Sequence, residues 1–119
     1  MTRRRGEIWL ADLNPRLGTE AGKTRPVLIV QAQALLDADH PSTLIVPLTT
    51  KLIDDAQPLR LRIPAAGALK KNSDALIDQL RAIDNRRLIQ GPLTRLLPIQ
   101  IKAIGKALLD VLELPLAGD

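Results

Sequence analysis

The chain strings together short apolar runs, each closed by proline, glycine or a turn pair, and holds a helical period at length only near its C-terminal end. That pattern excludes parallel βαβ units, which need long helices between their strands. Residues 6–12 (GEIWLAD) alternate, with Ile8 and Leu10 on one side and Glu7, Trp9 and Ala11 on the other, which predicts a strand. Residues 26–30 (PVLIV) are continuously apolar and β-branched, the pattern of a strand covered on both faces, with Pro26 at its first position. TLIVPLTT at 43–50 predicts another strand, where Pro47 implies an edge or a bulge. LRLRI at 59–63 alternates and is half exposed, DALIDQLRAI at 74–83 gives one or two short strands, and LIQGPLT at 88–94 one more. Residues 32–38 can form a short helix ending near Asp39-His40-Pro41. A final helix starts at Pro98, carries Ile101, Ile104, Leu108 and Val111 on one face, and stops at Leu114-Pro115. Five or six short strands and one terminal helix make a single α+β domain over 1–119, built on a curled sheet or partly open barrel.

Composition narrows the chemistry. There is no cysteine and one histidine, His40, so disulfides, thiolate zinc sites, cysteine nucleophiles and paired imidazoles are excluded. Trp9 is the one aromatic residue, which leaves Leu, Ile, Val and Ala to fill the core. The acids are scattered singly or exposed as Asp54-Asp55, so no metal or cofactor is expected. The net charge is +4 and unevenly placed: residues 60–106 hold ten Lys/Arg against three Asp, whereas 37–55 hold four Asp and one Lys. A positive region on a small protein favours a polyanion, nucleic acid first. No stretch reaches the roughly 18 apolar residues of a membrane span, and the basic start MTRRR is followed by a segment broken by Glu7 and Asp12, so a cytoplasmic protein is expected.

Three places carry residues that could do chemistry. The twelve-residue stretch 13–24 is long for a small domain and reads as a functional loop. It ends in Lys23-Thr24-Arg25-Pro26, where an arginine held at the edge of a rigid strand can grip a phosphate with two parallel N–H donors. A lone arginine at such a point more often serves a salt bridge or a cap. Period two then puts Thr49 and Thr50 on opposite faces at the end of 43–50, so one of them can face a cleft. Asp78-Gln79-Leu80-Arg81 mixes acid, amide and base in an apolar frame, where the plain expectation is an Asp–Arg brace. Asp84-Asn85-Arg86-Arg87 reads as a turn with a solvated basic pair.

Together GEIWLADLNPRLGTEAGKTRPVLIV at 6–30, VPLTT at 46–50 and DQLRAIDNRRL at 78–88 resemble the MazF/PemK (Kid) family of toxin endoribonucleases, in the family's order and at its spacing. The resemblance implies a small SH3-like β-barrel with a C-terminal α-helix, in a homodimer. It implies metal-independent cleavage of single-stranded RNA by attack of the ribose 2′-OH, leaving a 2′,3′-cyclic phosphate and a 5′-OH. Its partners would be a cognate antitoxin with a flexible acidic segment and, as the toxin–antitoxin complex, operator DNA. Matched to the motifs, Arg25 takes the catalytic arginine position and Thr50 that of the hydroxyl donor to the phosphate, with Thr49 as its alternative. Glu20 matches a loop acid that orients Arg25 or the 2′-OH. Thr19, Lys23, Thr24, Thr49, Asp78, Gln79 and Arg81 fall at substrate-facing positions, Gln79 as a reader of a base edge. Thr19 and Leu76 stand where some members carry a histidine and an arginine, so the Arg25–Thr50 form of the mechanism is the one implied. With Trp9 as its only aromatic, recognition would lean on hydrogen bonds, arginine planes and groove shape. The alternatives are a CcdB-like gyrase inhibitor and a regulatory partner-binding member. The former acts through a C-terminal Trp-Gly-Ile, where this sequence ends Leu-Ala-Gly-Asp.

Overall fold

The alternating and apolar runs become strands almost where the pattern puts them. A computed structural model describes residues 2–115; the Leu-Ala-Gly-Asp end lies outside the described residues. The elements are β1 (Glu7–Asp12), β2 (Thr24–Ile29), α1 (Gln33–Asp37), β3 (Ser42–Thr49), β4 (Arg60–Ile63), β5 (Ser73–Leu76), β6 (Arg81–Asp84), β7 (Leu88–Arg95) and α2 (Pro98–Leu112). Seven strands replace the expected five or six, because a 3-10 turn at Ile77–Gln79 cuts the 74–83 segment into β5 and β6. The pairings are antiparallel, in the order β4-β5-β3-β2-β1-β7 with β6 also beside β3. The sheet curls far enough for its ends to meet: the Ala68 N–H, just past β4, donates to the Leu93 carbonyl of β7 at 2.8 Å.

Two prolines sit differently from expectation. β2 begins two residues early, at Thr24, so Pro26 is internal to it. Its pairing with β3 runs only from Val27 to Ile29, which leaves Pro26 outside that ladder. Pro47 lies in a central strand, not at an edge or in a bulge. On the side away from β2, β3 pairs with β6 over Ser42–Ile45 and with β5 over Leu48–Thr49, so Pro47 falls in the gap between two partners. A residue without an N–H is tolerated where the ladder is already interrupted.

Alternate residues of the central strands feed two cores. Ile8, Leu28, Val46 and Leu48 pack with Ile104 and Ala107 of α2, flanked by Ile101, Leu108 and Val111. Trp9, Val27, Ile29 and Ile45 pack with Leu13, Leu36, Ile83 and Leu88 on the other face. Burying such an aliphatic side chain fully contributes about 1.5–3 kcal/mol. The terminal helix therefore covers one face of the sheet, and β2 and β3 are fixed from both sides. Trp9 is 0% exposed and its Nε1 donates to Glu7 Oε1 at 3.1 Å, which removes the sole aromatic from any surface role. A Cβ at Gly91 would lie 2.4 Å from the Trp9 ring, so β7 can cross the indole there only as glycine. α2 opens with Gln100 Oε1 accepting the Leu97 N–H and closes at Glu113, which adopts a left-handed φ of 56° before Pro115. No described helix is long and apolar enough to cross a membrane.

Candidate nucleic-acid interface

β2 and β3 run antiparallel, with Val27 opposite Pro47 and Ile29 opposite Ile45. Continued two residues past Val27, that register brings Arg25 across from Thr49. The start of one strand and the end of the other thus form the two walls of a groove. It measures about 320 Å³ and is lined by Lys23, Thr24, Arg25, Pro26, Leu48, Thr49, Thr50, Lys51 and Ser73. The lining holds three cations, four hydroxyl side chains and no carboxylate, a composition that attracts an anion and offers it donors.

Arg25 is half-buried, and backbone carbonyls from both walls hold it. Its Nε donates to Gly22 O at 2.7 Å and its Nη1 to Leu48 O at 3.4 Å. Among the described residues no carboxylate lies within ion-pair distance of it. Burial lowers its pKa from the ordinary arginine value, and the positive charge of Arg16 lowers it further. A guanidinium deprived of part of its water and given no counter-charge gains more from a phosphate than a solvated one does. Thr50 is exposed and its hydroxyl has no hydrogen-bond partner among the described residues, whereas Thr49 Oγ1 accepts the Lys51 N–H at 3.2 Å in a local turn. Both threonines keep their own O–H free to donate, and the Thr50 hydroxyl has no other engagement among the described residues.

The loop from 13 to 23 is tied down rather than loose. Its neck is closed by Leu13 N–H to Lys23 O at 2.9 Å and by Lys23 N–H to Asn14 Oδ1 at 2.7 Å. The Ala21 N–H donates to Gln79 Oε1 at 2.7 Å, and Gln79 Nε2 donates to Thr19 O at 2.9 Å. Arg87 Nη1 donates to the carbonyls of Asp12 and Asn14. Ala21 and Gly22 are buried, and a Cβ at Gly22 would stand 2.7 Å from Arg16 Cβ.

Of the ten residues singled out in the sequence, Lys23, Thr24, Arg25, Thr49 and Thr50 meet around this groove. Thr19 and Gln79 meet each other through the loop backbone, so both ends of the Gln79 amide, expected to read a base, are already engaged. Glu20 does not orient Arg25: its Oε1 accepts the Leu17 N–H at 2.9 Å at the loop tip, and the Gly22 carbonyl takes the orienting place. The Asp78–Arg81 brace does not form, because the 3-10 turn separates them; Asp78 is exposed, and Arg81 Nη1 is buried without a partner. Arg87 is not part of a solvated pair but a clamp on the loop, while Arg86 does lie on the surface, paired with Asp84. That pairing, first through the Arg86 side chain and then its N–H, pulls the Asp84 pKa down to about 2.

Sequence reasoning missed the brace behind the second wall. Asp74, 1% exposed, accepts Arg62 Nε at 2.6 Å, Arg60 Nη1 at 3.2 Å and the Ile53 N–H at 2.9 Å, while Arg60 Nη1 also donates to Lys51 O at 2.8 Å. The segment carrying Thr50 and Lys51 is thereby fixed from below. The signal was in LRLRI, whose alternation puts two arginines on one strand face that requires an acid opposite.

A family model described as "PemK-like, MazF-like toxin of type II toxin-antitoxin system" matches residues 4–112. The endoribonuclease MazF of Staphylococcus saprophyticus is 36% identical over 107 residues, covering 88% of this chain and 87% of that protein. Endoribonuclease EndoA of Bacillus subtilis (strain 168) is 32% identical over 86 residues, covering 71% and 73%. MazF from Deinococcus radiodurans superposes with a TM-score of 0.79 at 19% identity, over 96% of this chain and 99% of that one. An endoribonuclease in complex with its cognate antitoxin from Mycobacterial species gives 0.71 at 22% identity, over 97% of each. The solved structures share the curled antiparallel sheet with its terminal helix, and the match in sequence runs along nearly all the described residues: this chain belongs to the PemK-like, MazF-like toxins of type II toxin–antitoxin systems.

Proposed function

We propose that the chain is the toxin endoribonuclease of its toxin–antitoxin pair and cleaves single-stranded RNA at short sequences without a metal ion. The supporting observation is the carboxylate-free groove that a half-buried Arg25, with no carboxylate partner, lines together with the hydroxyls of Thr49 and Thr50. In-line attack by the ribose 2′-OH forms a bond from its oxygen to phosphorus and breaks the bond to the 5′-oxygen. The 2′-OH gives up its proton and the leaving 5′-oxygen gains one. The protein needs no nucleophile of its own, only a fixed grip on the phosphodiester and charge where negative charge grows. Arg25 supplies the charge through Nη2, Thr50 a neutral donor, and Lys23 and Lys51 the surrounding field. One well-aimed donor of this kind contributes about 10²–10³-fold in rate. Arg25 does not serve as the base, because even a lowered guanidinium pKa leaves it protonated at neutral pH. Glu20 keeps Oε2 unengaged on the exposed loop tip, and we assign it the role of accepting the 2′-OH proton.

The same reading gives the partners. The antitoxin complexes among the similar solved structures support a cognate antitoxin, and in this reading its flexible acidic segment competes with RNA for the groove. A homodimer, operator DNA bound as the complex, and cytoplasmic residence complete it.

The purified protein incubated with a long, weakly structured RNA tests this reading. Cuts within a short common sequence, with cyclic-phosphate ends and unaffected by excess EDTA, are expected. Arg25→Ala is expected to abolish cutting while leaving the melting curve in place. Cleavage by folded Arg25→Ala, or cleavage lost with EDTA and restored by Mg²⁺, overturns the proposal.

A further inference from the structure

We propose that Gln79 is a positioning residue for Arg25, acting through the loop backbone without touching the substrate; this rests on the catalytic reading of Arg25 just given. The connection is short and continuous. Gln79 sits at the end of the 3-10 turn between β5 and β6 and joins the 13–23 loop as a neighbouring strand would, with one acceptor and one donor. Its Oε1 holds the Ala21 N–H at 2.7 Å; the next residue, Gly22, presents the carbonyl that holds Arg25 Nε at 2.7 Å. Arg25 has one other partner, the longer contact from Nη1 to Leu48 O at 3.4 Å. Gln79 thus anchors the Glu20–Ala21 peptide, while Asn14 Oδ1 holds, at 2.7 Å, the N–H of the Gly22–Lys23 peptide whose carbonyl Arg25 uses; the direction of the guanidinium depends on where this short segment stands between its two anchors.

Other ties hold the rest of the loop, and one of them, from Asn14, holds the far end of this segment. Arg87 clamps Asp12 and Asn14, and the Asn14 side chain and Leu13 N–H close the neck at Lys23. Removing Gln79 leaves those in place, so the loop stays attached and the sheet intact. What is lost is the Ala21 anchor of the segment that presents one carbonyl to one catalytic side chain. A displacement of that order in a positioned group lowers turnover and leaves substrate affinity largely unchanged.

The test compares the parent, Gln79→Ala and Gln79→Glu in the full chain, each first checked for an unchanged melting curve. In RNA-free protein, NMR follows the Ala21 amide and the Arg25 Nε–H. In Gln79→Ala the Ala21 amide is expected to exchange about tenfold faster and the Arg25 Nε–H signal to move toward that of a free arginine. RNA cleavage is expected to show kcat about tenfold lower with KM within about twofold. Gln79→Glu keeps the acceptor for Ala21 and loses the donor to Thr19, so it is expected to protect the amide and to return kcat to within about threefold of the parent. An Ala21 amide and Arg25 Nε–H unmoved in Gln79→Ala overturn the proposal whatever the activity. So does an unchanged kcat with a raised KM, which makes Gln79 a substrate contact. If the parent cleaves no RNA, the functional reading fails, and the NMR signals still decide whether the latch exists.

Discussion

Asp74→Asn removes a charge and almost no volume from a residue that is 1% exposed. In the parent, one carboxylate oxygen accepts Arg62 Nε and the other accepts both the Ile53 N–H and Arg60 Nη1. Asparagine has one acceptor and one NH₂ group. In either orientation an NH₂ group faces a donor: Arg62 on one side, or Ile53 and Arg60 on the other. Removing one partner of a buried pair costs about 3–5 kcal/mol when the survivor stays buried. Here Arg60 and Arg62 are 21% and 38% exposed and can turn their heads to water, so a loss of about 2–3 kcal/mol is expected. At about 4 °C per kcal/mol for a chain of this length, the melting temperature falls by roughly 8–12 °C. The pH dependence adds a sign. Burial alone would raise the Asp74 pKa, but the Arg62 side chain, the Ile53 N–H and Arg60 outweigh it and hold it below the ordinary value. A carboxyl depressed in the folded state contributes its full stability above its unfolded pKa of about 3.9, and loses it as pH falls through the folded value. Urea titrations of parent and variant are therefore expected to show a constant gap from pH 7 to pH 5 that narrows below about pH 4. A gap under about 0.5 kcal/mol at pH 7, or one that widens on acidification, refutes the assignment of Asp74 as a charged brace.

Three further outcomes are expected. Arg25→Lys keeps the charge but loses Nε to Gly22 O and the two-pronged geometry, so cleavage falls by more than about tenfold with an unchanged melting temperature; activity within twofold of the parent would show that charge alone suffices. Thr50→Val removes the free hydroxyl on the groove and lowers kcat about tenfold or more, whereas Thr49→Val removes an acceptor from a local turn and costs stability first; kinetics and melting curves on both variants separate the two, and the reverse order would exchange their roles. Gly91→Ala places a Cβ 2.4 Å from the Trp9 ring and is expected to destabilise by about 2–3 kcal/mol in denaturant titration, with the buried Trp9 fluorescence shifted; a neutral substitution would mean that β7 can slide over the indole.

The elements were legible because each carries its own period. The alternation at 6–12, the apolar run at 26–30 and the spacing of Ile101, Ile104 and Leu108 produce β1, β2 and α2 with boundaries off by one or two residues. Propriety of place was less legible. Pro47 suggested an edge because a proline at one strand position says nothing of whether the neighbouring ladder is continuous, and here two short strands share that side of β3. Arg25 and the two threonines could be picked out from motifs, and they line one groove because the β2–β3 register, continued past Val27, sets Arg25 across from Thr49. The holders could not. Gln79 and Ala21 are 58 residues apart, and Arg87 and Asp12 are 75 apart. Such pairs involve a side chain and a backbone group, and a backbone group has no residue identity to leave a mark in the sequence.

The groove's two walls are held by devices of different physical kind, and this bears on what can move. The Thr50 wall rests on a buried carboxylate gripping two guanidiniums and a backbone N–H, an arrangement that cannot be half-released without leaving a charge unpaired. The Arg25 wall rests on hydrogen bonds to backbone groups, from the Gln79 and Asn14 amides, each replaceable by water at a net cost of about 1 kcal/mol, and from the Arg87 guanidinium at the neck. Any opening of the site therefore takes place on the loop side, with β3 and its threonines as the fixed reference. A ligand that pulls the loop away also pulls Gly22 O from Arg25, so displacement of the loop and loss of the aimed guanidinium are one event. An acidic segment laid over these cations would compete for the charge of Arg25, and one that displaced the loop would also remove its support.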